Sequence, residues 1–266
     1  MLHLGLAQVS FGQDLVQDGD FEDLSTTPTN KYGGGLSNTA GTGGEAGDLA
    51  VLADWSSPDS YYNFLFTGGN AGDQTVTGTG GDLSLWGPNS GSNNGLALPT
   101  GYTGNVVGAD GAYEVGPISQ VIGGLTIGHN YMVTFDWAAA QQSGYNSATT
   151  DNWTVGLGAA GLTTAASLVT SAGGQATTTV NLASKGFSGW MTAAFTFTAT
   201  STSETLYFIA TGTPDGEPPF ALLADVSMVA VPEPITTSSW ILLFGMLIMF
   251  GKRAWQRYQK KPLATA

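Results

Sequence analysis

The sequence predicts an all-β body, an antiparallel two-sheet sandwich of jelly-roll type, joined to one C-terminal transmembrane helix. Three observations carry this expectation. Apolar residues alternate with polar ones in several short runs, glycine-rich turns separate those runs, and an unbroken apolar stretch near the end meets basic residues at once.

Tyr131, Val133, Phe135 and Trp137 alternate with Met132, Thr134 and Asp136, and Phe195, Phe197 and Ala199 alternate with Thr196, Thr198 and Thr200. A period of two marks a strand with one buried face. Trp153, Val155 and Leu157 follow it, as do Leu206, Phe208 and Ala210, and Leu222, Ala224, Val226 and Met228. Tyr62, Phe64 and Phe66, and the pair Leu83 and Leu85, are shorter cases. GGLTIGHN at 123–130, TSAGG at 170–174 and GTPDGEPP at 212–219 supply the turns. No stretch of the body keeps an apolar helical period, so no helix is expected there. Residues 30–110 hold KYGGGLSNTAGTGGEAGD and GPNSGSNNG, which read as long surface loops or a mobile insertion.

Residues 1–13 are apolar and finish in small residues, with Ser10 and Gly12 placed as at a signal-peptidase site. A short signal peptide without its basic start is expected, the alternative being a plain leader to the first strand. The β body then occupies 14–230. At the other end Trp240, Ile241, Leu242, Leu243, Phe244, Gly245, Met246, Leu247, Ile248, Met249 and Phe250 form the apolar run. With the uncharged residues before it the run reaches about 25 Å as a helix, enough for a thin bilayer. Lys252, Arg253 and Arg257 follow directly, and the positive-inside rule places them and the extension 258–266 in the cytoplasm and the body outside.

Charge sorts the chain in the same way. Among seven Lys and Arg residues only Lys31 and Lys185 precede residue 252, and all 20 Asp and Glu residues lie at or before Glu233. An acidic body with two lysines cannot neutralise a phosphate backbone, so no nucleic-acid partner is expected. The absence of cysteine removes disulfides, thiolate metal sites and cysteine nucleophiles.

Two resemblances sharpen the picture. Val231, Pro232, Glu233 and Pro234, then the short apolar run, then the Arg-containing basic end, resemble the PEP-CTERM sorting domain, here over 231–257. That family implies an exported protein of an exopolysaccharide-producing bacterium, held first in the inner membrane and then processed by an exosortase for the cell surface or matrix. The extension QKKPLATA is longer than the family's usual end. The two prolines also hold Glu233 in an extended segment poor in hydrogen bonds, which suits an enzyme's cleft and equally a plain linker.

The second lies in the body. Leu15 and Val16 followed by Asp18, Gly19, Asp20, Phe21 and Glu22 resemble the opening strand of jelly-roll carbohydrate-binding modules, and LLADVSM at 222–228 resembles their closing strand. The resemblance implies that first and last strands are neighbours and that acidic groups there hold a structural calcium. Asp20, Glu22 and Asp225 are the oxygen ligands such an ion would take, and simple turn-capping by the same residues is the other reading.

Catalytic signals are weak. Gly156, Gly158 and Gly161 fit G-x-G-x-x-G, but no amphipathic helix is expected after them and no parallel-sheet pattern surrounds them. His129 sits in a turn and His3 in the leader, which leaves no Ser-His-Asp triad. Asp136 beside Trp137 is the nearest glycosidase-type carboxylate, without a marked partner. The expectation is therefore a non-enzyme without a cofactor beyond that calcium. Its aromatic residues in polar, glycine-rich segments, Trp55, Tyr61, Trp86 and Tyr145, are the ones placed to stack on sugars of an extracellular polysaccharide. A structural or adhesive matrix protein, or a polysaccharide-degrading enzyme, are the alternatives.

Overall fold

A computed structural model describes residues 12–29, 33–38, 49–58, 60–68, 75–78, 81–88 and 98–232. Nearly all of the expected signal peptide, and the chain from Glu233 onward, fall outside these residues. So do Pro234, the run Trp240 to Phe250, and Lys252, Arg253 and Arg257.

Two sheets form the body. The larger runs in the order β1 (Leu24–Thr26), β3 (Leu49–Leu52), β2 (Gly33–Leu36), β4 (Asn63–Phe66), β7 (Val106–Asp110), β15 (Pro219–Ala230), β9 (Asn130–Gln141) and β13 (Met191–Thr198). A hairpin of β5 (Thr75–Gly78) and β6 (Gly81–Ser84) joins it through β2. The smaller runs β11 (Gln175–Ala176), β10 (Thr149–Gly158), β14 (Ser203–Thr213) and β8 (Ile118–Gly123), with β12 (Val180–Leu182) also on β10.

The alternating residues do what their period requires. Tyr131, Val133, Phe135 and Trp137 of β9 face Trp153, Val155 and Leu157 of β10 and Leu206, Phe208 and Ala210 of β14 in one inter-sheet core. Phe208 meets Phe135 edge-on at 5.1 Å and Trp153 edge-on at 6.1 Å between ring centroids. The Trp153 indole N–H, fully buried, donates to the Leu222 carbonyl at 3.1 Å, so the ring's one polar atom is satisfied. The second resemblance implies that the first and last strands are neighbours; instead the first strand, β1, pairs with β3, and it is the strandless segment 15–19 that runs beside β15, the Leu15 amide donating to the Met228 carbonyl and the Val226 amide to that of Gly19.

Four expectations need correction. The transmembrane helix is not found: among the described residues no helix is long and apolar enough to cross a membrane. The run Trp240 to Phe250 and the uncharged residues before it, on which it was placed, lie outside the described residues. The sandwich is not purely antiparallel, because β2 pairs in parallel with both β3 and β5.

A helix does exist in the body, α1 (Ala165–Ser171), capped by Thr164, whose hydroxyl accepts from the Ser167 amide. It lies on the outer face of the small sheet, where Leu168 and Ala172 pack on Tyr207 and Ile209. Gly156 and Gly158 make room for it, since a Cβ on Gly158 would stand 2.9 Å from Ala172 Cβ. The G-x-G of the sequence thus serves helix-on-strand packing. Finally, 30–110 holds more than loops and the expected strand at Phe64 and Phe66, which is β4: Gly33–Leu36 is a strand buried at every position, and β7 adds Val106 to the second core that Phe64 and Phe66 enter. With Leu83, Leu85, Phe220 and Leu222 these residues cover the outer face of the large sheet.

Strand β15 links the two cores by changing face midway. Its pairing with β9 slips between Ala224 and Ser227, and Asp225 between them has φ +50°. Leu222 and Ala224 therefore face the outer core while Val226 and Met228 face the inter-sheet core. Strict alternation would have kept all four on one side; a one-residue bulge inverts the strand.

Candidate functional site

A cleft of about 540 Å³ opens on the outer face of the small sheet, at its β8 edge. Three segments build it. The segment 53–58 docks on the edge strand through a pair of backbone bonds, Ser56 amide to Ser119 carbonyl at 2.7 Å and the reverse at 2.9 Å. β8 and β14 supply Ser119, Gln120, Val121, Thr205 and Tyr207, and the turn ahead of α1 supplies Gly161, Leu162 and Thr163.

Gln120 fixes the chain start against this edge. Its amide nitrogen donates to the carbonyls of Gln17 and Asp54, and its amide oxygen accepts from the Gln17 backbone at 2.9 Å. Tyr61 stands at the opposite wall, packed so tightly on Gly116 that a Cβ there would fall 2.1 to 2.3 Å from three ring atoms. Only glycine at 116 lets the ring lie against the backbone. The walls thus combine an aromatic ring, Pro58, Pro117 and Leu162 with hydroxyls and amides, and Asp54 is the only carboxylate or amine side chain among the described residues that line it. Val121, 69 % exposed, projects from the same edge.

Trp55 belongs to this cleft but not as a platform. It is 4 % exposed, packs on Phe21 and Phe208, and donates its indole N–H to the Asp18 carbonyl at 2.9 Å. It floors the cleft. Trp86 and Tyr145 are brought together elsewhere: the Trp86 indole donates to the Tyr145 carbonyl at 2.9 Å, and the Lys185 ammonium stands 5.1 Å from the centre of the Trp86 ring. Glu217 anchors that loop by accepting from the backbone amides of Ser147 and Asn146, and the bonds from Ser147, backbone and side chain, do most to hold its carboxyl below the usual range.

The acidic residues gather partly as expected. Asp20 and Asp225 line a second, polar cleft of about 310 Å³ together with Asp136, Tyr102 and Thr100. Tyr102 closes it by donating to the carbonyls of Asp20 and Asn105. Burial, and then the neighbouring carboxylates Asp136, Asp20 and Asp14, push Asp225 upward. Asp136 accepts from the Thr192 hydroxyl at 2.6 Å. Glu22 is exposed and does not line the cleft. Among the described residues no group of three or more His, Asp or Glu is arranged to hold a metal ion.

Of the sorting motif, Val231 and Pro232 are described. The Val231 amide donates to the Asn130 carbonyl at 2.8 Å, and Pro232 beyond it is exposed. Ser119, Gln120, Thr163 and Thr205 carry no signal in the sequence, because they become neighbours only once β8 is seated on β14. Val121 is the exception, an apolar residue in a short run of apolar and polar residues.

No protein-family model and no curated protein matches the chain. Solved structures do. One described as CBM4 is 16 % identical over 56 % of this chain and 87 % of its own length, with a TM-score of 0.32. TmCBM61 in complex with β-1,4-galactotriose is 12 % identical over 48 % of this chain and 72 % of its own, with a TM-score of 0.28. The arabinose-bound α-L-arabinofuranosidase MgGH51 is 12 % identical over 83 % of this chain but only 27 % of its own length, with a TM-score of 0.37.

Proposed function

We propose that this is an exported, non-enzymatic glycan-binding protein that holds a neutral polysaccharide segment in the cleft between segment 53–58, Tyr61 and the β8 edge. The observation that carries the reading is the make-up of that cleft. A volume of about 540 Å³ lies within the range for small-ligand sites, and the described residues of its walls pair an aromatic ring with hydroxyl and amide groups and one carboxylate. Sugars present the same pairing, C–H faces that stack on rings and hydroxyls that exchange hydrogen bonds.

Binding isotherms of the full chain against neutral, acidic and charge-masked polysaccharides test this. Saturable binding to a neutral glycan, weakened at least tenfold in Tyr61→Ala with the fold intact, is the expected result. Equal binding by Tyr61→Ala would move the site elsewhere. Absence of binding to every glycan would favour the structural or adhesive matrix protein instead.

Export and sorting form the second part of the proposal. Among the described residues the last sheet hydrogen bond is that of Val231, where the VPEP segment starts. An exosortase-type enzyme is the partner proposed for the sorting step, with the cell surface or biofilm matrix as destination. Intact-mass measurement on exported protein should show a chain ending within or shortly after 231–234, and full-length exported protein would refute processing.

A further inference from the structure

Asp151 carries the least expected charge in the body. It lies on β10 with no exposure, and neither of its carboxylate oxygens has a hydrogen-bond partner. Two residues earlier on the same strand face is Thr149, 3 % exposed, whose hydroxyl also lacks a partner. Asp110, at the end of β7 and 1 % exposed, brings a fourth unpartnered oxygen, Oδ2; its Oδ1 accepts from the Ala112 and Tyr113 amides.

The backbone brings the two aspartates near one another from opposite sheets. Asp151 is paired across the ladder with Gly212, the Gly212 amide donates to the Gly111 carbonyl at 2.8 Å, and the Gly111 amide donates to that of Pro219. Both glycines are needed for the approach. A Cβ on Gly111 would stand 2.4 Å from the Gly212 nitrogen, and one on Gly212 would stand 2.5 Å from Pro219 Cγ. The charge of Asp110 is close enough to act on Asp151, whose carboxyl is driven well above its ordinary range by burial first and by Asp110 second.

We propose that Asp151, Asp110 and Thr149 form a buried site for one divalent cation of the calcium type, separate from the surface cleft of Asp20 and Asp225. A buried carboxylate must be neutralised by a proton, a cation or a paired base. No Lys or Arg lies among the described residues except Lys185, whose ammonium is engaged over Trp86. Protons would neutralise the two carboxyls but leave acceptor oxygens and the Thr149 hydroxyl unmatched. A hard cation takes oxygen ligands of all these kinds and completes its shell with carbonyls and water.

The test uses the full chain at pH 8 after chelation. Terbium luminescence excited through tryptophan should rise to saturation near one equivalent and be displaced by calcium, because Trp153 lies on the same strand face two residues from Asp151. Calcium at a hundredfold excess over its Kd should raise the unfolding midpoint by roughly 5–10 °C. Asp151→Asn and Asp110→Asn should lose both responses, and Asp225→Asn should keep them. If the two buried-site variants fail to fold, the wild-type and Asp225→Asn titrations decide alone. No saturable signal in wild type, or a signal abolished by Asp225→Asn, overturns the proposal.

Discussion

The ring of Tyr61 rests on the backbone of Gly116, close enough that any Cβ at 116 would occupy the ring's own space. Gly116→Ala must therefore push Tyr61 outward or shift the loop that carries it. Overpacking of this kind costs about 1–3 kcal/mol. Urea unfolding should show a loss in that range, and glycan affinity should fall with it because the displaced ring is the aromatic wall of the cleft. Unchanged stability would mean that the loop moves freely, and the wall would then not be preformed.

Asp225 pays a conformational cost at the β15 bulge, where φ is +50°. An L-residue with a Cβ is disfavoured there and glycine is not. Asp225→Gly should stabilise the body by about 0.5–1 kcal/mol in urea unfolding, while Asp225→Val should destabilise it by a similar amount or more. Destabilisation by glycine would show instead that the carboxylate is held by a bound ligand in the polar cleft.

That bulge also marks the limit of what the sequence discloses. The alternation of β9, β10, β13 and β14 was legible because each strand keeps one phase against one core. In β15 the phase inverts at Asp225, and nothing local in LLADVSM distinguishes a bulge from a straight strand. The buried GGGL strand was illegible for a different reason: without side chains it has no period, and its burial comes entirely from neighbours. The candidate cleft follows the same rule. Tyr61 stood out as an aromatic in a polar segment, whereas Gln120 acquires its role only by meeting Gln17, 103 residues away.

Trp153 fills the centre of the inter-sheet core and its indole reaches Leu222 on the facing sheet. Trp153→Phe removes that hydrogen bond and leaves a void beside Phe208. Together the lost bond and the cavity should cost about 2–4 kcal/mol. Calorimetry should show a lower midpoint with a single transition. Two transitions would indicate that the sheets unfold separately, which the shared core does not allow.

Asp18 sets a pH dependence near the chain start. Its Oδ1 accepts from the Glu22 and Asp23 amides, but Oδ2 is buried without a partner, and burial drives the group from 3.8 up to about 7 with help from Asp20. The folded state therefore holds a proton there that the unfolded chain releases near pH 4. By linkage the contribution to stability is fully present below the unfolded value, declines as pH rises from about 4 to 7, and is level above. Asp18→Asn keeps the acceptor for the two amides and cannot ionise. In chelator, wild type minus Asp18→Asn stability should fall across that window and flatten beyond it. Asp110 and Asp151 titrate in both proteins and largely cancel in the difference, so a flat difference curve would show that Asp18 is ionised throughout.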